Sequence, residues 1–267
     1  MNLNLFKKTV SDRWRSTAVF GGGILAYVLM TTALYPTFRD ISGIEELLDK
    51  YPKDFLRLFG VESFDITSFG NFVTAELLGL MWVIIVVAFV LGFARSVIAG
   101  EIHDGTMELL LSQPISRWSV VTSQALAIAA GIVTLVVVTV LGIVGFGAAL
   151  GIEIFYRGFF AFIPVGICLL LAIAGYSLLF STLLKDPRRV VMASAGLTLA
   201  FYMLHFAGAY WRVADRMDVF GIFHYYNPAS VIDSGTVPVG SLLALLAFAA
   251  VGFTASLVVF RRRDVAP

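Results

Sequence analysis

Six stretches of this chain carry no Asp, Glu, Lys or Arg: 16–38, 77–94, 118–152, 158–184, 190–211 and 234–260. A helix that crosses the hydrocarbon core of a bilayer needs about 20 apolar residues, within a range of roughly 17–25. Every one of the six is long enough, and no other charge-free gap comes close. A soluble fold would have to bury six helices that have no polar face, whereas globular helices keep one. Charged residues make up 14% of the chain, against roughly 25% in an average soluble domain. The chain therefore reads as an all-α integral membrane protein with one transmembrane domain over 1–267. Its spans lie near 17–36, 77–98, 119–150, 158–183, 190–210 and 238–260.

Six spans put both termini and the connections 95–117 and 185–189 on one side. That side holds 12 of the 19 Lys and Arg but 6 of the 18 Asp and Glu, a net of +6 against −5 opposite, which accounts for the chain's +1. Basic loops stay in the cytoplasm, so this side is expected to be cytoplasmic in a cell (plasma) membrane. The window 118–152 could hold two helices, but splitting it would carry Arg261, Arg262 and Arg263 to the other side. One long helix reaching beyond the bilayer fits better. The first window is too long for a signal-peptide core and lacks a clear cleavage site, so no cleavable leader is expected. The single cysteine, Cys168, lies inside the fourth span, which leaves disulfides no part in the fold.

Outside the spans, residues 1–15 combine Leu3, Leu5, Phe6 and Val10 with Lys7, Lys8, Arg13, Arg15 and Trp14. That pattern predicts an amphipathic helix on the cytoplasmic surface, with a disordered basic leader as the plainer reading. The external segment 37–76 repeats apolar residues at helical spacing, at Ile44, Leu47, Leu48 and Tyr51 and again at Phe55, Leu58 and Phe59. Two short interfacial helices follow, serving either as an outer lid or as anchors. Tyr210, Trp211, Tyr225 and Tyr226 sit where an aromatic belt is expected.

The chemistry available is sparse. Ion-coupled transport needs titratable groups near the midplane, and the spans offer none there. No Gly-Lys pair exists for a phosphate-binding loop, and no His-Glu-x-x-His for a metalloprotease. Ser177 in Gly175-Tyr-Ser177-Leu resembles a serine protease element, with His205 on the next span. The two lie roughly 10 Å apart in depth at ~1.5 Å per residue, too far for a nucleophile and its base. We expect no catalytic residue, no metal and no cofactor in this chain, and no nucleic-acid partner. An ATP-independent channel or secondary transporter is the rival class.

The connection 99–117 is more elaborate than a turn. Glu101, Asp104 and Glu108 set negative charge at a helix start, where the helix dipole favours it. Asp104 or Thr106 is placed to cap that helix. Met107, Leu110 and Leu111 share one face at i, i+3 and i+4, and Pro114 ends the run before Arg117. The helix lacks the basic residues that favour a lipid surface, so a protein groove is the better home for that face.

The run Glu101-x-x-x-Gly105-Thr-x-Glu108-Leu-Leu-Leu-Ser-x-Pro114-Ile-Ser-Arg117 resembles the loop between spans two and three of ABC-2-type transporter permeases. The N-terminal amphipathic segment, Asn227-Pro228 and the ending Phe260-Arg-Arg-Arg-Asp264 fit the same resemblance. It implies that 99–117 is a coupling helix seated in a separate ATP-binding cassette ATPase, which carries the ATP and Mg. It also implies a second permease, as a copy or a paralogue, and export as the activity. The residues expected at the ATPase contact are Glu101, Gly105, Thr106, Glu108, Leu110, Leu111, Pro114 and Arg117.

Overall fold

The computed structural model describes residues 2–39, 68–107, 116–208 and 210–262. Helix α1 spans Leu3–Arg39, and a short α2 (Phe69–Val73) leads through a π-turn (Thr74–Leu78) into α3 (Met81–Arg95). A second π-turn (Ser96–Gly100) and α4 (Glu101–His103) follow, then α5 (Arg117–Ala149), α6 (Tyr156–Leu183) and α7 (Pro187–Gly208). The chain continues through α8 (Arg212–Asp218), a 3-10 turn (Ile222–Tyr225), α9 (Pro228–Ser234) and α10 (Val239–Arg262). Six helices are long and apolar enough to cross a membrane, and none of the described residues is in a strand. The protein is an all-α integral membrane protein.

The segment expected as a separate interfacial helix over 1–15 is the first part of α1, which runs unbroken to Arg39. No glycine or proline lies between Leu3 and Phe20 to interrupt it. Its amphipathic character persists, with Leu5 and Thr9 buried and Lys7 and Lys8 exposed. At ~1.5 Å per residue this helix is about 55 Å long, well beyond a hydrocarbon core of about 30 Å. Window 118–152 forms one helix, as its charge pattern required. A short helix precedes the second span: Ser68 caps α2 by accepting from the Asn71 N–H at 3.2 Å, and the long apolar helix itself starts at Met81. The apolar repeats at 44–51 and 55–59 lie outside the described residues.

Helix α6 is the hub. Of its most apolar stretch 72% is buried, against 17% for α7 and 22% for α10. It packs on α10 most extensively, then on α5 and α3, while α1 packs on α5. The α6–α10 crossing is a backbone contact. A Cβ on Gly252 would sit 2.4 Å from the Gly175 carbonyl carbon, and one on Gly175 would sit 2.9 Å from the Ala249 oxygen. In lipid there is no hydrophobic force between helices, so association relies on such close approach between small residues. Aromatic rings close the acidic end of the bundle: Tyr35 meets Phe69 at 5.1 Å and Phe72 at 5.4 Å, and Phe69 meets Phe159 at 5.9 Å.

Gly252→Val is expected to separate α6 from α10. Because the obstacle is backbone, the loss should reach the upper end of the ~1–3 kcal/mol of ordinary overpacking or exceed it. Gly240→Val, with nothing within 4 Å of its Cβ, should leave the melting temperature in detergent unchanged. Equal melting temperatures for the two variants would contradict this packing.

Candidate partner interface

The base of the insert is built into the bundle. The π-turn at the end of α3 leaves the ordinary α-helical ladder, and the Ala99 N–H donates to Ser181 Oγ on α6 at 3.1 Å. Both groups are buried, as are Val97 and Ile98. The chain then turns at Gly105, whose φ of +73° lies in the left-handed region that favours glycine. Helical geometry resumes at Thr106. The Thr106 hydroxyl points back, donating to the Glu101 carboxylate and carbonyl. Met107 is 1% exposed and belongs to the core; it secures the insert to the bundle and is not open to a partner.

Of the expected contact residues, Glu101, Gly105 and Thr106 come together in this one turn. Arg117 opens α5, which is capped by Ser116 accepting from the Ser119 N–H at 3.2 Å. Its Nη1 donates to the Arg261 carbonyl at 3.4 Å, joining the end of the insert to the end of α10. Glu108, Leu110, Leu111 and Pro114 lie outside the described residues.

Between α3 and α7 runs an apolar groove of about 650 Å³. Arg95 and Val191 stand at its basic end, and Leu80, Met203 and Phe223 at the other. From Leu80 to Arg95 is roughly 22 Å at ~1.5 Å per residue, most of a hydrocarbon thickness. Phe223, at that other end, belongs to the connection after α7, which is pinned by Asp218. This carboxylate is 5% exposed. Its Oδ2 contacts Nδ1 of His205 at 2.8 Å and of His224 at 3.0 Å. Tyr226, expected in an aromatic belt, is buried instead and donates to the Leu78 carbonyl at 2.7 Å. Burial pushes its phenol well above the ordinary value, which keeps it a neutral donor. The π-turn over Thr74–Leu78 is where that carbonyl becomes available. Tyr210 and Trp211 do stay exposed.

Sequence reasoning missed Asp218, Ser181 and both π-turns: Ser181 meets a residue 82 positions away, and Asp218 is set between two histidines by the folding of its own connection. His205 is occupied by Asp218, while Ser177 Oγ donates to the Ile173 carbonyl of its own helix at 2.7 Å. The two do not form a nucleophile–base pair. Among the described residues no group of three His, Cys, Asp or Glu could hold a metal ion.

A family model described as ABC-2 family transporter protein matches residues 3–265. No curated protein matches the chain.

Ser181→Ala strands the buried Ala99 N–H. We expect a loss of about 1–3 kcal/mol and faster amide exchange at Ala99, whereas Ser177→Ala should stay within ~0.5 kcal/mol. Protection at Ala99 that survives Ser181→Ala would show that this bond does not anchor the insert. Asp218→Ala should raise limited proteolysis between α8 and α9 several-fold without changing cleavage near Arg117; an unchanged digestion pattern would show that the carboxylate pins nothing.

Proposed function

The chain belongs to the ABC-2 family of transporter proteins; it is thus a multi-pass membrane permease of an ABC transporter, and we propose that it forms the path for ATP-driven export of a hydrophobic or amphiphilic cargo. An ABC permease works with an ATP-binding cassette subunit, and in our reading that subunit is a separate chain carrying the ATP and Mg. The basic end of the bundle faces the cytoplasm in this reading, by the bias of Lys and Arg toward that side. Two permeases, identical or paralogous, pair to complete the path.

The observation that carries the proposal is the way the insert leaves the bundle. Its base is held by the buried Ala99–Ser181 bond and by the core side chains Ile98 and Met107. In this reading residues 108–115, which follow, reach the ATPase at the basic end. A segment docked at its tip and fixed at its base acts as a lever: force on the tip reaches α3 and α6 directly. Glu101, Gly105 and Thr106 shape the exit turn. Glu108, Leu110, Leu111 and Pro114 provide the face that meets the ATPase. Arg117 ties the return to α10.

The α3–α7 groove suits the cargo path. It is lined mostly by apolar side chains, with the Thr198 and Tyr202 hydroxyls as polar points. Helix α3 forms one wall of the groove and also continues into the lever. ATP binding on the partners draws the two inserts together, tilts α3 against α7 and changes access to the groove.

Leu110→Asp puts a charge on the docking face. At an interface anchor this should weaken association by about 2–4 kcal/mol, seen as loss of the ATPase from a detergent pull-down with tagged permease. Membrane insertion should be unaffected. If the ATPase co-purifies in undiminished amount, the insert is not the docking element.

A further inference from the structure

A second groove, separate from the one assigned to cargo, opens between α1 and α5. It measures about 530 Å³, within the roughly 300–1,000 Å³ range of ligand pockets. Phe93 of α3 forms part of its wall, and small residues open it: Ala18, Gly21 and Gly22 on α1, Ala130 and Gly131 on α5. Charge and aromatic character are confined to one end, at Arg13 and Trp14. Arg13 is half-buried, and its guanidinium lies 5.9 Å from the Phe93 ring centroid. Among the described residues it has no carboxylate within ion-pairing distance, although Asp12, Glu101 and Arg95 lie near enough to be felt. Trp14 is 58% exposed, at the depth where tryptophan marks the headgroup layer.

We propose that this groove is a binding site for one anionic phospholipid of the leaflet at the basic end, with its phosphate on Arg13 and an acyl chain along α1 and α5. Three features select that occupant. The groove has the polarity of an amphiphile, a cationic mouth over an apolar channel. From Arg13 to Leu25 it is roughly 18 Å long at ~1.5 Å per residue, close to half of a ~30 Å hydrocarbon core. The α3–α7 groove, by contrast, runs through most of the thickness and is too long for one leaflet's lipid. Finally, α1 presents Lys7, Lys8 and Arg15 as exposed cations on either side of Arg13, and each basic residue near a surface draws anionic lipid. A phosphate on Arg13 would offset the like charge of Arg95, which acts on Arg13.

The test measures lipid retained by the intact permease in nanodiscs of phosphatidylcholine with and without phosphatidylglycerol, by native mass spectrometry. Wild type should hold phosphatidylglycerol in preference to phosphatidylcholine. Arg13→Gln should weaken that preference by about tenfold, as for one lost charge-assisted contact. Gly22→Leu fills the groove. Because a Cβ there meets nothing within 4 Å, the variant should fold normally and lose the lipid. Gly23→Leu, equally open but outside the groove, is the matched control and should retain it. Equal retention in Gly22→Leu and Gly23→Leu would overturn the proposal. So would a wild type that binds both lipids alike, or a Gly22→Leu variant that splits a permease pair while keeping its lipid.

Discussion

Hydrocarbon offers a backbone no hydrogen-bonding partner, and this constraint governs where the protein departs from regular helix. Each unpaired N–H or C=O in lipid costs several kcal/mol, so irregular turns survive only where protein supplies the missing partner. The two π-turns around α3 show the rule at work. At one end the Ala99 N–H finds the Ser181 hydroxyl on α6. At the other the Leu78 carbonyl takes the Tyr226 hydroxyl. Each irregularity is therefore also a tie between α3 and another element. The same requirement explains why α6 is the most enclosed of the six spans. It supplies Ser181 to one turn and meets α10 backbone to backbone at Gly175 and Gly252.

Much of this was legible in the chain and some was not, for physical reasons. The spans could be read because charge is excluded from them residue by residue, which needs no knowledge of neighbours. The single helix over 118–152 followed from the position of Arg261–Arg263. The start of α2 did not, since Glu76 hides a helix that is already under way: its polar group belongs to a turn end rather than to a loop. Tyr226 shows the limit of composition. Four aromatic residues near an interface predict a belt, but only contact with the Leu78 carbonyl separates a buried tyrosine from an exposed Trp211. The close crossing of Gly175 against Gly252 could not be read either, since it joins helices distant in sequence. Within the insert, the early negative charge at Glu101 was readable. The inward use of Met107 was not, since an amphipathic face does not declare which of its members the protein keeps for itself.

The ends of the bundle differ in construction as well as charge. The acidic end is closed by edge-on and tilted rings and by the buried Asp218 carboxylate between two partly exposed histidines. At the basic end Arg95 and Glu101 act electrostatically on Arg13 around the exit of the insert.

Energy is the remaining consideration. Moving a cargo against its gradient requires coupling to a second downhill process. A chain whose membrane windows hold no Asp, Glu, Lys or Arg gives a coupling ion little to bind at the midplane. His205 lies near the C-terminal end of α7 and is engaged by Asp218. Work must then enter from outside the spans, and the insert is the charged element that both leaves the bundle and remains bonded into it. Helix α3 is the element through which that work would pass, since it leads into the lever and walls the longer groove. Motion that the buried Ala99–Ser181 bond transmits reaches α6, while motion carried along α3 itself reaches the groove that α3 walls.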